Sequence, residues 1–281
     1  MKNFDMNRFA LALKCQLLST RRQWLRLFGI LTLAMFVMDI FFTRISYQAY
    51  ERTFEEFGLD SVRHFYEHII SQTAGIGIFI LFGAMLFGAC YVFSHLKETR
   101  QRTTYLMWPV SNLEKFLVCM VQSIVLMGVG TIVSYMLADS MRLLLDLITG
   151  RVLISGIPMF FEVFVPKNAP AEAVFAICCT QLFLHSCYIL GGSLFRRRQF
   201  LLTSFAMVIL SFFLTWVSVN LLDVIGIERT MIFISENRDW NVEGSVIACG
   251  CIVLLLTALN YWLSYKIFCR MQVINNKWLN L

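Results

Sequence analysis

The sequence predicts an all-α integral membrane protein with six transmembrane helices, and three observations lead to that class. Hydrophobic residues make up 58% of the 281 positions and charged residues 15%, whereas about 25% of an average soluble domain is charged. Mostly apolar stretches of about 20 residues, long enough to cross the hydrocarbon core of a bilayer as helix, recur six times. Stretches such as Ile76–Phe82 lack the strict alternation of a membrane β-barrel.

The limits of the predicted spans follow from where the apolar stretches begin and end. We expect one transmembrane domain over residues 1–281, with spans at about 24–43, 69–95, 117–138, 173–195, 199–222 and 245–266. Residues 44–68 are predicted to form a solvated, partly helical outer loop. A second outer loop, Asp139–Glu172, begins with the amphipathic segment Arg142–Ile148. Its apolar content predicts packing on the membrane surface or against the helical bundle.

Residues 1–23 are predicted to contain an interfacial amphipathic helix that precedes the first span. Apolar residues follow the i, i+3, i+4, i+7 spacing of one helical face at Met6, Phe9, Ala10, Leu13 and Leu17. Leu11 and Leu18 lie on the opposite face, so an extension of the first span is the alternative interpretation.

The distribution of basic residues predicts the orientation, because Lys and Arg near span ends resist export from the cytoplasm. With the N-terminus inside, 16 of the 24 basic residues are cytoplasmic: Lys2, Arg8, Lys14, Arg21, Arg22, Arg26, Lys97, Arg100, Arg102, Lys115, Arg196, Arg197, Arg198, Lys266, Arg270 and Lys277. Both termini are therefore predicted to be cytoplasmic. The net charge of +6 reflects this topology, and we expect the lipid bilayer, not nucleic acid, as the partner.

One short pattern matches an enzyme signature. His64-Phe-Tyr-Glu-His68 has the H-x-x-E-H form of inverted zinc metallopeptidases, in which two histidines on one helical face bind zinc and Glu67 acts as general base. The pattern fixes only three positions and needs a third ligand, for which Glu162 and Glu172 are the candidates. Polar residues at the start of a span are the simpler interpretation, so we predict no catalytic residue, metal or cofactor in the chain.

Polar side chains inside spans are candidate functional residues because they are costly in hydrocarbon. Asp39 is about four residues from the outer end of its span, where it could reach interfacial water. His185 is near the middle of the fourth span, one turn from Gln181, and the two could share a hydrogen bond between helices. No acidic partner is present in that span, which favours a structural role over a proton relay.

The inner loop between the second and third spans contains a sharp break. Trp108 suits the interface, and Pro109 ends the helix before it, because its ring disfavours helical geometry at the preceding residue. Ser111 and Glu114 have the spacing of a capping box, which starts a new helix that continues into the third span. A well-capped turn without a partner explains these residues equally well.

The segment Tyr105-Leu-Met-Trp-Pro-Val-Ser-Asn-Leu-Glu-Lys-Phe116 resembles the Leu-Pro-Ala-Ser-x-x-Glu-Lys-Phe stretch of bacterial membrane proteins related to permease subunits of type-2 ABC transporters. Trp108 and Val110 replace the usual Leu and Ala, and the resemblance extends over residues 1–138. It implies a six-span half-transporter in the bacterial inner membrane. Such a subunit dimerises with an identical or a different permease and docks onto a separate ATP-binding subunit.

In such permeases the inner loop carries the coupling helix, which contacts the ATPase. The resemblance implies that residues 97–107 enter the ATPase cleft and that residues 109–115 fix the angle of this helix to the third span. The implied coupling residues are Lys97, Arg100, Arg102, Tyr105, Trp108, Pro109, Ser111, Glu114 and Lys115. The chain has no P-loop pattern of its own, which fits a partner that supplies the ATPase activity.

Three functions from different classes follow. The expected one is a membrane-embedded permease-like subunit of an ABC-type exporter, which is not itself an enzyme. The alternative is a structural or accessory membrane protein with the same scaffold that transports nothing. The third is a membrane metallopeptidase that uses His64, Glu67 and His68.

Overall fold

The computed structural model describes residues 4–51, 54–93, 99–151, 153–164, 169–195, 198–225 and 242–270. Helix accounts for most of these residues, and no β-strand is found among them. The predicted all-α class is therefore confirmed.

Nine α-helices lie in the described residues. They are α1 (Met6–Glu51), α2 (Phe54–Tyr91), α3 (Thr99–Leu106), α4 (Asn112–Val121), α5 (Met127–Ile148), α6 (Ile157–Phe164), α7 (Ala171–Leu194), α8 (Gln199–Ile225) and α9 (Val242–Arg270). A π-helical turn, Gln122–Leu126, joins α4 to α5 without a break.

Within the described residues, six helical segments are long and apolar enough to cross a membrane, as the sequence predicted. They are Met6–Ile45, Arg63–Tyr91, Asn112–Ile148, Ala171–Leu194, Gln199–Val217 and Val246–Arg270. These segments make the chain a multi-pass membrane protein, since helices satisfy their own backbone hydrogen bonds within hydrocarbon.

Three helices extend well beyond the predicted limits of their spans. α2 begins at Phe54, within the predicted outer loop 44–68. α1 is uninterrupted from Met6 to Glu51, so the N-terminal segment and the first span form one helix. Beyond the predicted end of the third span at Ala138, α5 continues to Ile148, so the first part of the predicted outer loop is helical. No helix breaker intervenes before Gly150, whose φ of +67° is the left-handed conformation that glycine adopts readily at helix ends.

The described chain forms two compact units. Unit 1 comprises Met1–Gly88 and Val110–Ala169. Its core contains apolar side chains of α1, α2, α5 and α6, among them Met35, Ala74 and Leu81. The rings of Tyr135 and Phe160 stack within this core with their centroids 4.4 Å apart.

Two glycines on neighbouring helices of unit 1 permit close helix contacts. A Cβ at Gly88 would collide with Met127, and a Cβ at Gly130 would collide with the ring of Phe28. Gly83 lies near Gly88 in the sequence, and Gly128 lies near Gly130. A Cβ at Gly83 or Gly128 would have no atom of the described chain within 4 Å. Of these four glycines, only Gly88 and Gly130 therefore serve close packing within the described chain.

Unit 2 comprises Ala89–Pro109 and Pro170–Leu281. α7 packs against both α8 and α9. Gly191 of α7 is in direct contact with the Thr203 side chain, and Gly250 of α9 faces the ring of Phe175. Small residues thus bring the helices of unit 2 close together, as is common between membrane helices.

Candidate functional site

Three charged residues near the end of α5 form a buried ion-pair network. Asp139, Arg142 and Asp146 follow the i, i+3 and i+4 spacing that places side chains on one helical face. Arg142 Nη2 lies 2.6 Å from Asp139 Oδ1, and Arg142 Nη1 lies 2.8 Å from Asp146 Oδ2. The three side chains are 5% exposed or less, so water screens these ion pairs little.

Neighbouring segments complete the hydrogen bonding of this network. The Asp139 carboxylate also accepts from Ser155 Oγ at 2.8 Å and from the Gly156 amide at 3.0 Å. Arg142 Nη2 donates to the Ile154 carbonyl at 2.6 Å. Tyr66 of α2 donates its hydroxyl to Asp146 at 3.1 Å. The network thereby joins α2, α5 and the segment before α6 into one polar cluster, which we call the Arg142 cluster.

The Arg142 cluster was missed by sequence analysis, which assigned Asp139, Arg142 and Asp146 to an outer loop. Hydropathy placed the end of the third span at Ala138 because charged residues follow it. The available signal was the spacing of the three charges, which matches one face of a continuing helix.

Asp39, a predicted intramembrane polar residue, lies on α1 of the same unit. It is 1% exposed, so its carboxyl group is buried in protein. It interacts electrostatically with Arg142 and with Asp139. Neither of its carboxylate oxygens has a hydrogen-bond partner in the described chain.

The predicted capping box at the start of α4 is confirmed. Ser111 Oγ accepts from the Glu114 amide at 3.2 Å, and Glu114 Oε2 accepts from the Ser111 amide at 2.8 Å. Glu114 is fully buried, and its second oxygen accepts from the Asp5 amide at 2.8 Å and from Arg8 Nη2 at 3.2 Å. One carboxylate therefore joins the first turn of α1 to the first turn of α4.

The other implied coupling residues lie on α3, around it or in α4. Tyr105 and Arg102 of α3 are buried. The Tyr105 ring centroid is 5.2 Å from that of Trp108 and 6.5 Å from that of Phe268 in α9. Pro109 is exposed.

Three further coupling residues have distinct positions. Lys115 is buried in the first turns of α4. The backbone of Arg100 belongs to α3, and Lys97 lies outside the described residues. The predicted order of a short helix, a corner and a newly capped helix is confirmed for the described part of the loop.

A neutral polar cluster lies between α7 and α9 in unit 2. His185 Nδ1 is 2.8 Å from the hydroxyl of Tyr261, and Asn260 Nδ2 donates to Ser186 Oγ at 3.1 Å. Gln181 does not bond to His185, since Gln181 Nε2 and His185 Nε2 both lack partners in the described chain. Sequence analysis identified the α7 side of this cluster but not Asn260 and Tyr261, whose spacing in α9 carries no distinctive signal.

The H-x-x-E-H residues lie on α2 near the protein surface. His64 Nδ1 is 3.5 Å from Glu67 Oε2, with the His64 side chain 82% exposed. His68 Nε2 is 3.1 Å from Gln72 Nε2, and Arg63 pairs with Glu67 at 3.3 Å. Among the described residues, no group of three or more His, Cys, Asp or Glu side chains is placed to hold a metal ion.

In comparisons with known proteins, no family model, curated protein or solved structure matches the chain. The residues themselves offer two features that bear on function. One is the corner at the start of α4 that Glu114 ties to α1, and the other is the Arg142 cluster with Asp39 beside it.

Proposed function

We propose that the chain is a permease-like subunit of an ABC-type exporter that docks onto a separate ATP-binding subunit through its inner loop. The observation that carries the proposal is the hydrogen bonding of Glu114, which accepts from Ser111, Asp5 and Arg8 at once. Through these bonds, a displacement of the chain at Ser111 is transmitted to the first turns of both α1 and α4.

The proposal includes an orientation and a location. Both termini are cytoplasmic, and the chain lies in the inner membrane of a bacterium. The basic residues near the span ends support this orientation. It requires the beginnings of α1 and α4 to lie on one side of the membrane, and the bonds of Glu114 hold them at the same end of unit 1. The first turns of α1 lie at the inner interface, where Arg8 can remain near water while the exposed Met6 and Leu11 contact lipid.

In the proposed mechanism, the inner loop is the part of the chain that the ATPase subunits move. Closure of an ATP-loaded pair of ATPase subunits displaces α3 and the corner that follows it. Glu114 carries this displacement into two membrane-spanning helices, α1 and α4. A second permease subunit, identical or related, lines the other half of the pathway, and the two rock between inward- and outward-facing states.

Photo-crosslinking in native membranes tests the docking site. A photoreactive amino acid at Met107, which is 77% exposed just after α3, is expected to crosslink to an ATP-binding subunit that mass spectrometry identifies. The matched control is the same substitution at Ile148, which is 79% exposed at the end of α5 and is expected to give no such product.

Two outcomes would contradict the proposal. One is the absence of an ATP-binding protein among the Met107 products, and the other is an equal yield from Ile148. A crosslinked ATPase whose hydrolysis rate does not change when this chain is added would favour the accessory-protein alternative.

A further inference from the structure

The carboxyl group of Asp39 is a buried polar group that the Arg142 cluster does not satisfy. Asp39 lies one helical turn after Met35 of the unit 1 core and is 1% exposed. Neither of its carboxylate oxygens accepts a hydrogen bond from the described residues. An ionised carboxylate in such a position is strongly disfavoured, since it has lost its water without gaining a donor.

Arg142 attracts Asp39 but is already engaged elsewhere. Its guanidinium group donates four hydrogen bonds, two to Asp139, one to Asp146 and one to the Ile154 carbonyl. Two carboxylates other than that of Asp39 already share this one positive charge. An ionised Asp39 would therefore place three buried carboxylates beside a single guanidinium group, and Asp139 repels it directly.

The charged and titratable groups in this part of unit 1 come from α1, α2 and α5. Tyr135, Asp139 and Arg142 of α5 interact electrostatically with Asp39. Tyr66 of α2 and Asp146 of α5 bond within the Arg142 cluster, and Arg44 is half-buried on α1 itself. Glu162 of α6 is exposed. Tyr135 directs its hydroxyl to the Gly156 carbonyl at 3.4 Å rather than to Asp39.

We propose that Asp39 is a proton-binding site in the membrane-embedded core of unit 1. The carboxylate takes a proton from a hydronium ion of the solvent. One O–H bond of hydronium breaks, one O–H bond forms on the carboxylate and a water molecule is released, which leaves a neutral carboxylic acid beside the Arg142 cluster. The O–H bond breaks and the proton returns to water when a movement of α1 hydrates the side chain. The site is thus a proton-linked element of unit 1, whether or not the chain is an exporter subunit.

A proton suits this site better than a metal cation. A hard cation requires several oxygen ligands. Both carboxylate oxygens of Asp139 already accept hydrogen bonds, from Arg142, Ser155 and Gly156. Oδ2 of Asp146 accepts from Arg142 and Tyr66. A proton needs one carboxylate oxygen and no additional volume, which matches a side chain enclosed by protein.

Infrared spectroscopy of the full chain in detergent micelles tests the proposal directly. The protein is isotope-labelled at its aspartate carboxyl carbons, and the carbonyl stretch of protonated aspartate is recorded at neutral pH. We expect the wild type to show this band and Asp39→Asn to lack it. The matched control, Asp5→Asn, removes an aspartate whose side chain is 49% exposed and should leave the band unchanged.

The pH dependence of stability gives a second readout that does not rely on band assignment. An exposed aspartate is ionised at neutral pH, so unfolding of a chain protonated at Asp39 releases one proton. The equilibrium constant for unfolding should then rise by up to tenfold for each unit of pH. Asparagine has nearly the shape of the neutral acid but cannot release the proton. In Asp39→Asn, the equilibrium constant for unfolding should therefore depend less on pH than in the wild type.

The proposal is overturned if the wild type shows no protonated aspartate band that disappears in Asp39→Asn. A wild-type pH slope that Asp39→Asn reproduces unchanged would overturn it as well. Neither result bears on the crosslinking at Met107, so the proton site and the exporter function can fail independently.

Discussion

Two buried polar clusters, one in each unit, are of different kinds. In unit 1, Asp139, Arg142 and Asp146 form a charged network with side chains that are 5% exposed or less. In unit 2, the polar contacts between α7 and α9 join uncharged side-chain types, and His185 with Tyr261 is the clearest example. The cluster of unit 1 therefore depends on the balance of charge, whereas the cluster between α7 and α9 depends on hydrogen bonds of ordinary strength and on close packing.

The two kinds of cluster also differ in what brings them together. The three charges of unit 1 are neighbours on α5, so helical geometry alone assembles them. The pairs of unit 2 connect α7 to α9 and exist only where these helices are in contact. A change in charge should consequently damage unit 1 most, and a change in the distance between helices should damage unit 2 most.

Arg142→Met in unit 1 should destabilise the protein more than any single substitution at the polar contacts between α7 and α9. It removes the guanidinium group and leaves Asp139 and Asp146 as buried carboxylates without a cation. Breaking a buried ion pair in this way costs roughly 3–5 kcal/mol. The free energy of unfolding, measured by SDS titration in mixed micelles, should fall by that amount.

Two variants control this experiment. Arg63→Met removes a guanidinium group that is 70% exposed and that pairs with Glu67 among the described side chains, so its cost should stay below about 1 kcal/mol. Combining Arg142→Met with Asp139→Asn and Asp146→Asn removes the uncompensated charge and should restore part of the loss. If Arg63→Met and Arg142→Met cost the same, the charged network does not stabilise unit 1.

Gly191→Ala should destabilise unit 2 through packing rather than charge. The added Cβ would collide with the Thr203 side chain, including its own Cβ at 2.8 Å, so α7 and α8 would have to separate. Overpacking of this kind costs about 1–3 kcal/mol. The same SDS titration measures this loss of stability. We also expect the hydrogen bond from Gln199 Nε2 to the Gly192 carbonyl to be lost, because it joins the same two helices.

The matched control is Gly83→Ala. Gly83 is also in a helix interior, but a Cβ there meets no atom within 4 Å. Since alanine favours helix over glycine by up to about 1 kcal/mol, this variant should be neutral or more stable. An equal loss in both variants would show that helix propensity, and not contact with Thr203, decides the result.

Hydropathy and local patterns predicted the features that depend on short stretches of chain. The six apolar helices are confirmed by length and composition, and the capping box by the spacing of Ser111 and Glu114. Both signals are local, because a bilayer selects long apolar helices and a cap needs only one turn.

Contacts between distant segments were beyond the sequence. Nothing in the residues around Glu114 indicated that Asp5 and Arg8 donate to it from more than 100 positions away. The Arg142 cluster was missed for a different reason. Its charges resemble the start of a solvated loop by composition, and only burial against α2 and the segment before α6 makes them part of the core.

A matched pair of tyrosines gives the finest comparison between the two units. Tyr66 donates to the carboxylate of Asp146 at 3.1 Å, and Tyr261 is 2.8 Å from the imidazole of His185. Replacement by Phe removes one hydroxyl in each unit and keeps the ring. Hydrogen bonds to charged groups contribute about 1.5–3 kcal/mol, whereas those between neutral side chains of membrane helices average about 0.6 kcal/mol.

Tyr66→Phe should therefore lower the free energy of unfolding more than Tyr261→Phe, by roughly 1 kcal/mol, although its hydrogen bond is the longer one. Adding Asp146→Asn to each variant separates the causes. The cost of Tyr66→Phe should shrink in that background because its acceptor is then neutral, and the cost of Tyr261→Phe should not change. If distance governed the outcome, Tyr261→Phe would cost more, and the charge of the Arg142 cluster would not make its hydrogen bonds stronger than those between α7 and α9.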